Sequence, residues 1–161
     1  MSNQPREAIP SAAPSNVREL RITRTFDAPR ELVFKAWTDP QHLANWWGPR
    51  GYATPKCEMD ARPGGSYQFL MRAADGREVV WSGVCREFVA PERLVLTCTI
   101  RNTDGSLISA ETILTLTLED QQGRTRLTLH QGVFDSEANA AAHKSGWSDA
   151  LDRIGEHLAR V

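Results

Sequence analysis

The 161-residue sequence has no uninterrupted apolar run near the ~18 residues that a membrane-spanning helix requires. Its polar N-terminus likewise lacks the apolar stretch of a secretory signal, so the expectation is a cytoplasmic protein with no membrane partner. Lysine is scarce, three residues against sixteen arginines, and twenty acidic side chains bring the net charge to –1. The arginines are scattered along the chain, so no basic stripe is available to track a phosphate backbone and a nucleic-acid partner is not expected. Cysteine is scarce as well. Cys57, Cys85 and Cys98 are odd in number and lack CxxC spacing, which predicts buried free thiols in a reducing compartment and not a disulfide framework. There is no GxSxG elbow, no HExxH pair and no GxGxxG or GxxxxGK loop, so nucleophilic, metal-assisted and phosphate-cradling chemistries have no support here.

What is present describes an ordinary globular chain, 40% apolar and 24% charged, at a length typical of one domain. Residues 1–16 (MSNQPREAIPSAAPSN) have no apolar period and cannot bury enough surface to offset their ordering entropy. They are expected to be a disordered tail, with a single domain over 17–161. Leu20, Ile22 and Phe26 mark a half-buried strand. Asp27 is a candidate helix cap and Pro29 suits a first helical turn, with Leu32, Val33, Ala36 and Trp37 on one apolar face. Asp39-Pro40 opens a second short helix through His42, Leu43 and Trp46, and Gly48-Pro49 stops it.

From Tyr52 to Phe134 the period changes to that of strands. Tyr67, Phe69 and Met71 alternate with Gln68, Leu70 and Arg72, and Asp75-Gly76, Asp104-Gly105 and Gln122-Gly123 supply hairpin turns. Six consecutive strands form an antiparallel meander that the first strand can extend to seven. Trp147, Leu151, Ile154, Leu158 and Val161 then recur at spacings of three or four, giving a final helix from about 136 to 161 with one apolar stripe. Its natural burial site is the face of the sheet. The class is α+β, in the order β-α-α-β6-α.

Several words of this sequence resemble the family named after the activator of the heat-shock protein 90 ATPase, within the START-like (SRPBCC) superfamily. They are Phe26-Asp27-Ala28-Pro29, Val33-Phe34-Lys35-Ala36-Trp37-Thr38-Asp39-Pro40 and Leu43 with Trp46-Trp47-Gly48-Pro49. Arg62-Pro63-Gly64-Gly65, Gly83, Glu87, Pro91-Glu92-Arg93-Leu94, the Thr125-to-His130 strand and Gly146-Trp147 continue the likeness. The resemblance spans about residues 18–161. It implies a helix-grip fold, a curved antiparallel sheet gripping a long C-terminal helix. It also implies functions ranging over hydrophobic-ligand carriers, cyclase-like enzymes, resistance proteins, stress-response proteins and a co-chaperone domain.

A long helix on a strongly curved sheet leaves space at the middle unless large side chains fill it, and such concave apolar space is the usual form of a small-molecule site. Tyr67, Phe69 and Met71 on one strand, Trp81 on the next, and Trp147 and Leu151 on the helix are the candidate lining. Trp37 and Trp47 are placed to frame a mouth. The leading expectation is therefore a small hydrophobic ligand, no cofactor and no catalytic residue. Two alternatives stay open: a cyclase- or hydrolase-like enzyme using the same space, and a co-chaperone-like module with a chaperone as partner. A homodimer formed through exposed aromatics near Trp46 and Trp47 is a further expectation.

Other candidates weigh less. Gly83 inside a strand marks a bend or a close backbone approach. Glu58 and Asp60 share a strand face, a spacing compatible with acid/base work but commoner as exposed charge. His143 and His157 lie on nearly one helix face but about 21 Å apart, too far to share a metal ion. His130 is either half-exposed or directed at the mouth.

Overall fold

The structure, a computed structural model, describes residues 18–161. The tail expected over residues 1–16 lies outside the described residues. Strand β1 (Leu20–Phe26) leads to helices α1 (Arg30–Thr38) and α2 (Pro40–Trp46). Strands β2 (Ala53–Met59), β3 (Ser66–Arg72), β4 (Glu78–Val89), β5 (Arg93–Asn102), β6 (Leu107–Gln121) and β7 (Arg124–Gly132) follow, and α3 (Glu137–Leu158) ends the chain. All seven strands lie in one sheet, in the order β1-β7-β6-β5-β4-β3-β2. Every pairing is antiparallel, and β1 adds to β7 from Leu20 opposite Gln131 to Phe26 opposite Thr125.

Period-two patterning places one face of each strand against the helix. Tyr67, Phe69 and Met71 are buried while Gln68 and Arg72 are exposed; Leu114, Leu116 and Leu118 on β6 and Leu127 and Leu129 on β7 are buried in the same way. The sheet bends where its register slips, between Cys85 and Glu87 on β4 and between Cys98 and Arg101 on β5. Gly83 sits beside that bend. A Cβ there would lie 1.9 Å from the carbonyl oxygen of Thr97, so the close backbone approach is what the glycine provides. The Thr97 carbonyl accepts instead from the Tyr67 hydroxyl at 2.6 Å, and the Thr97 hydroxyl accepts from Val84 N at 2.8 Å.

The helix starts follow local chemistry, with one correction. Asp39 caps α2, its carboxylate accepting from Gln41 N at 2.9 Å, and Ser136 caps α3 by accepting from Asn139 N at 3.0 Å. Asp27 does not cap α1. Pro29 is the capping residue, and its carbonyl accepts from Leu32 N and Val33 N, both at 3.1 Å. The reason lies upstream: Phe26 and Ala28 are buried, and the Ala28 carbonyl is taken by the Thr125 hydroxyl of β7 at 2.7 Å, which holds this segment extended.

The core joins all five tryptophans. Trp37, Trp46, Trp47, Trp81 and Trp147 pack as one connected group, with centroid separations of 4.6 Å for Trp37–Trp46 and 5.1 Å for Trp47–Trp81. The surface patch expected at Trp46 and Trp47 is therefore absent: both indoles are buried, because α2 turns them inward against α1 and the sheet. The three cysteines are free, and burial pushes the Cys57 and Cys98 thiols up to about 12. No helix among the described residues is long and apolar enough to cross a membrane.

Candidate functional site

Helix α3 carries two different stripes. Toward its C-terminal end Leu151, Ile154 and Leu158 are buried in the core, where the helix lies against β1 and the two short helices. Toward its N-terminal end Ala142, Gly146 and Ala150 recur one turn apart beside Asn139, His143 and Trp147. These residues cover a pocket of about 220 Å³ beneath the first half of the helix. Met71, Val79, Trp81, Ile100 and Ile108, from four successive strands, form its floor and far wall. Trp47, Gly48, Pro49 and Tyr52, from the segment after α2, form the near wall, and Trp147 closes the inner end. Polar groups are few: Tyr52 and Arg77 on one side, Asn139 and His143 on the helix side.

The near wall is held by contacts that hydrophobic periodicity alone does not announce. Gly48 has a φ of +95°, a conformation that favours glycine, and a Cβ there would meet Met71 Cε at 3.1 Å. Arg153 reaches over from α3 and donates through Nη1 to the carbonyl oxygens of Trp47, Gly48 and Pro49, at 3.1, 2.9 and 3.2 Å. The Thr54 hydroxyl adds a bond to the Trp47 carbonyl at 3.2 Å. Arg153 thus positions the wall without entering the pocket.

The aromatic floor is fixed by buried polar bonds. Trp147 Nε1 donates to Gln131 Oε1 at 2.7 Å, and Gln131 Nε2 donates to the Thr112 hydroxyl at 2.8 Å. Trp81 Nε1 donates to the Tyr67 hydroxyl at 3.0 Å. The indole N–H groups of Trp37 and Trp47 have no hydrogen-bond partner. Trp47 stands nearly perpendicular to Trp37, Trp81 and Trp147, at 88°, 86° and 88°, in edge-to-face contact with each.

Of the side chains expected to line a cavity, Trp47, Met71, Trp81 and Trp147 do so. Trp37, Tyr67, Phe69 and Leu151 lie one layer deeper, each buried and packed in the core. Trp37 therefore frames no mouth. Glu58 and Asp60 are exposed and lie outside this pocket, in a broad polar depression with Gln68, Ser82 and Thr99. His130 is half-buried and bonded to Glu19 at 2.7 Å, also away from the pocket. The residues not foreseen are Tyr52, Arg77, Asn139 and His143. The small-residue spacing Ala142–Gly146–Ala150 is the signal that could have located the helix side. No group of three or more His, Cys, Asp or Glu side chains suited to a metal ion occurs among the described residues.

Two histidines on α3 are tuned by burial. His143 Nδ1 bonds to the Asn139 carbonyl at 3.0 Å, so that nitrogen carries the proton and Nε2 keeps its lone pair. Desolvation is the main reason its pKa lies below the usual histidine value. At the far end His157 Nε2 and His42 Nδ1 are 2.8 Å apart, a bond that needs a lone pair on one of the two rings. Desolvation first, then the neighbouring His42 and Arg160 charges, lower the His157 pKa. With both values below that of an unfolded histidine, near ~6.5, the unfolded chain binds more protons in the window just below that pH. The stability these groups contribute is complete above ~6.5 and is lost as pH falls toward the folded values. Urea midpoints should therefore drop between about pH 7 and pH 5.5 in the native protein. They should drop less in a His143→Gln/His157→Gln variant, and equal slopes would contradict the assignment.

A curved seven-stranded sheet, closed on one face by a long C-terminal helix with a pocket between them, defines a helix-grip domain. Residues 27–159 match the family described as Activator of Hsp90 ATPase homolog 1-like protein, and the chain belongs to that family. Solved structures agree. The AHSA1 protein of Silicibacter pomeroyi is 25% identical, with a TM-score of 0.80 over 88% of this chain and 97% of its own. A Chromobacterium violaceum protein is 29% identical, with a TM-score of 0.75 over 88% and 96%. A solution structure from Arthrobacter aurescens, at 23% identity, aligns with a TM-score of 0.78 over 93% and 91%. Among curated protein sequences none matches this one significantly.

Proposed function

We propose that this domain binds one small, largely apolar organic molecule in the pocket between the sheet and the first half of α3. The observation that carries this reading is the lined space itself: about 220 Å³ walled by three indoles and seven aliphatic or methionine side chains, with only four polar residues at its rim. Apolar burial would supply the affinity at ~25 cal/mol per Å², with the rim groups fixing orientation. The volume is below the ~300 Å³ at which drug-sized sites begin, so the guest is small. Among the lining residues His143 is the one histidine and there is no carboxylate, so no acid/base pair is assembled to support the cyclase- or hydrolase-like alternative.

Native mass spectrometry of freshly purified protein tests the reading. The expected result is a co-purifying organic molecule at one per chain, or a 1:1 adduct once naphthalene methanol is added as an apolar probe. A spectrum holding only the bare chain under both conditions would remove the proposal.

A further inference from the structure

The rim of the pocket has a sign. Among its lining residues there is one permanent charge, the Arg77 guanidinium, and no Asp or Glu. Arg77 sits just before β4, in the turn closing the β3–β4 hairpin, where its backbone N–H donates to Asp75 Oδ1 at 3.0 Å. Its side chain turns to the pocket side and Nη2 donates to the Tyr52 hydroxyl at 3.2 Å. It forms no ion pair among the described residues. Arg72, on the other side of the same hairpin turn, is by contrast paired with Glu78. Across the pocket His143 is held neutral and adds no second charge.

The interior speaks to the rest of the guest. A cavity of ~150 Å³ accepts a single benzene ring, so about 220 Å³ suits one ring with substituents or two fused rings. Trp47, Trp81 and Trp147 pack edge-to-face on one another, with centroids 5.1 to 5.8 Å apart, and line the pocket as one aromatic cluster against which a further ring can stack or pack edge-on. A carboxylate on that ring would reach Arg77 at the exposed rim, where it keeps part of its hydration and escapes the full penalty of burying a charge. The guanidinium fork matches a carboxylate in two parallel bonds.

From these features we infer that the ligand is a one- or two-ring aromatic carboxylate, its ring packed against the tryptophan cluster and its anionic group on Arg77. The inference rests on the pocket reading above and adds the ligand's chemical class to it. Titrations of 2-naphthoate and of neutral 2-naphthamide, followed by tryptophan fluorescence, separate the two claims. The acid should bind at least about tenfold more tightly than the amide, the scale of one charge-assisted bond. Arg77→Gln should erase that preference by weakening the acid much more than the amide, and Arg77→Lys should restore part of it. Arg77 lies on an exposed turn, so these variants are expected to fold, which identical urea midpoints would verify. Equal binding of acid and amide, or an Arg77→Gln variant that keeps the preference, overturns the anion assignment and leaves the pocket reading standing. If neither probe binds at millimolar concentration, the pocket reading fails and the inference with it.

Discussion

Replacing Trp147 with alanine should cost roughly 3–5 kcal/mol of folding stability. The indole is buried and touches Trp37, Trp47 and Trp81, at centroid distances of 5.6, 5.3 and 5.8 Å. Removing a buried aromatic forfeits its transfer free energy and leaves a void that neighbouring rings cannot close without leaving their rotamers. A second cost is polar: Gln131 Oε1 loses the donor it meets at 2.7 Å, and a buried acceptor without a partner carries its own penalty. Because total stabilities are about 5–15 kcal/mol, the variant should have a much lower urea midpoint and in the weaker case no cooperative transition. A loss below about 1 kcal/mol would mean that the ring is not part of the core. Although Trp147 also walls the pocket, its value to the fold comes from the three rings behind it.

The second large effect is expected at Gly83. An alanine there would place Cβ 1.9 Å from the Thr97 carbonyl oxygen and 2.6 Å from its carbon, distances that no rotamer change relieves because both atoms are backbone. Strands β4 and β5 would have to part locally. That would pull the Thr97 carbonyl from the Tyr67 hydroxyl and the Thr97 hydroxyl from Val84 N. Overpacking of this kind is expected to destabilise by at least about 3 kcal/mol. Gly146 is an internal control, since a Cβ there meets Pro49 Cγ at an ordinary 3.7 Å. Gly146→Ala should fold at least as well as the native chain, helped by the better helix propensity of alanine. Equal melting behaviour of the two variants would contradict the role given to Gly83.

Much of the architecture was legible because it depends on period and punctuation. Alternation at Tyr67, Phe69 and Met71, the Asp-Gly turns, and the Asp39-Pro40 start each reflect a local rule that the folded protein keeps. That Asp27 does not cap α1 was not legible, because a tertiary bond between Thr125 and the Ala28 carbonyl decides where α1 begins. The pocket was half legible for a related reason. Apolar periodicity identifies residues that face inward, but it does not say whether a given side chain ends against another side chain or against empty space. Trp37, Tyr67, Phe69 and Leu151 face inward and are buried within the core cluster. Trp47, Met71, Trp81 and Trp147 face inward and have one side on the pocket. The rim residues Tyr52, Arg77, Asn139 and His143 come from segments far apart in sequence, and only the fold brings them together.

The measurement that bears most directly on the pocket uses the five indole N–H resonances of the native protein. Addition of saturating 2-naphthoate should shift those of Trp47, Trp81 and Trp147, whose rings wall the space. Those of Trp37 and Trp46, one layer deeper, should move far less. Five unmoved signals, or shifts led by Trp37 and Trp46, would contradict a guest site beneath the first half of α3.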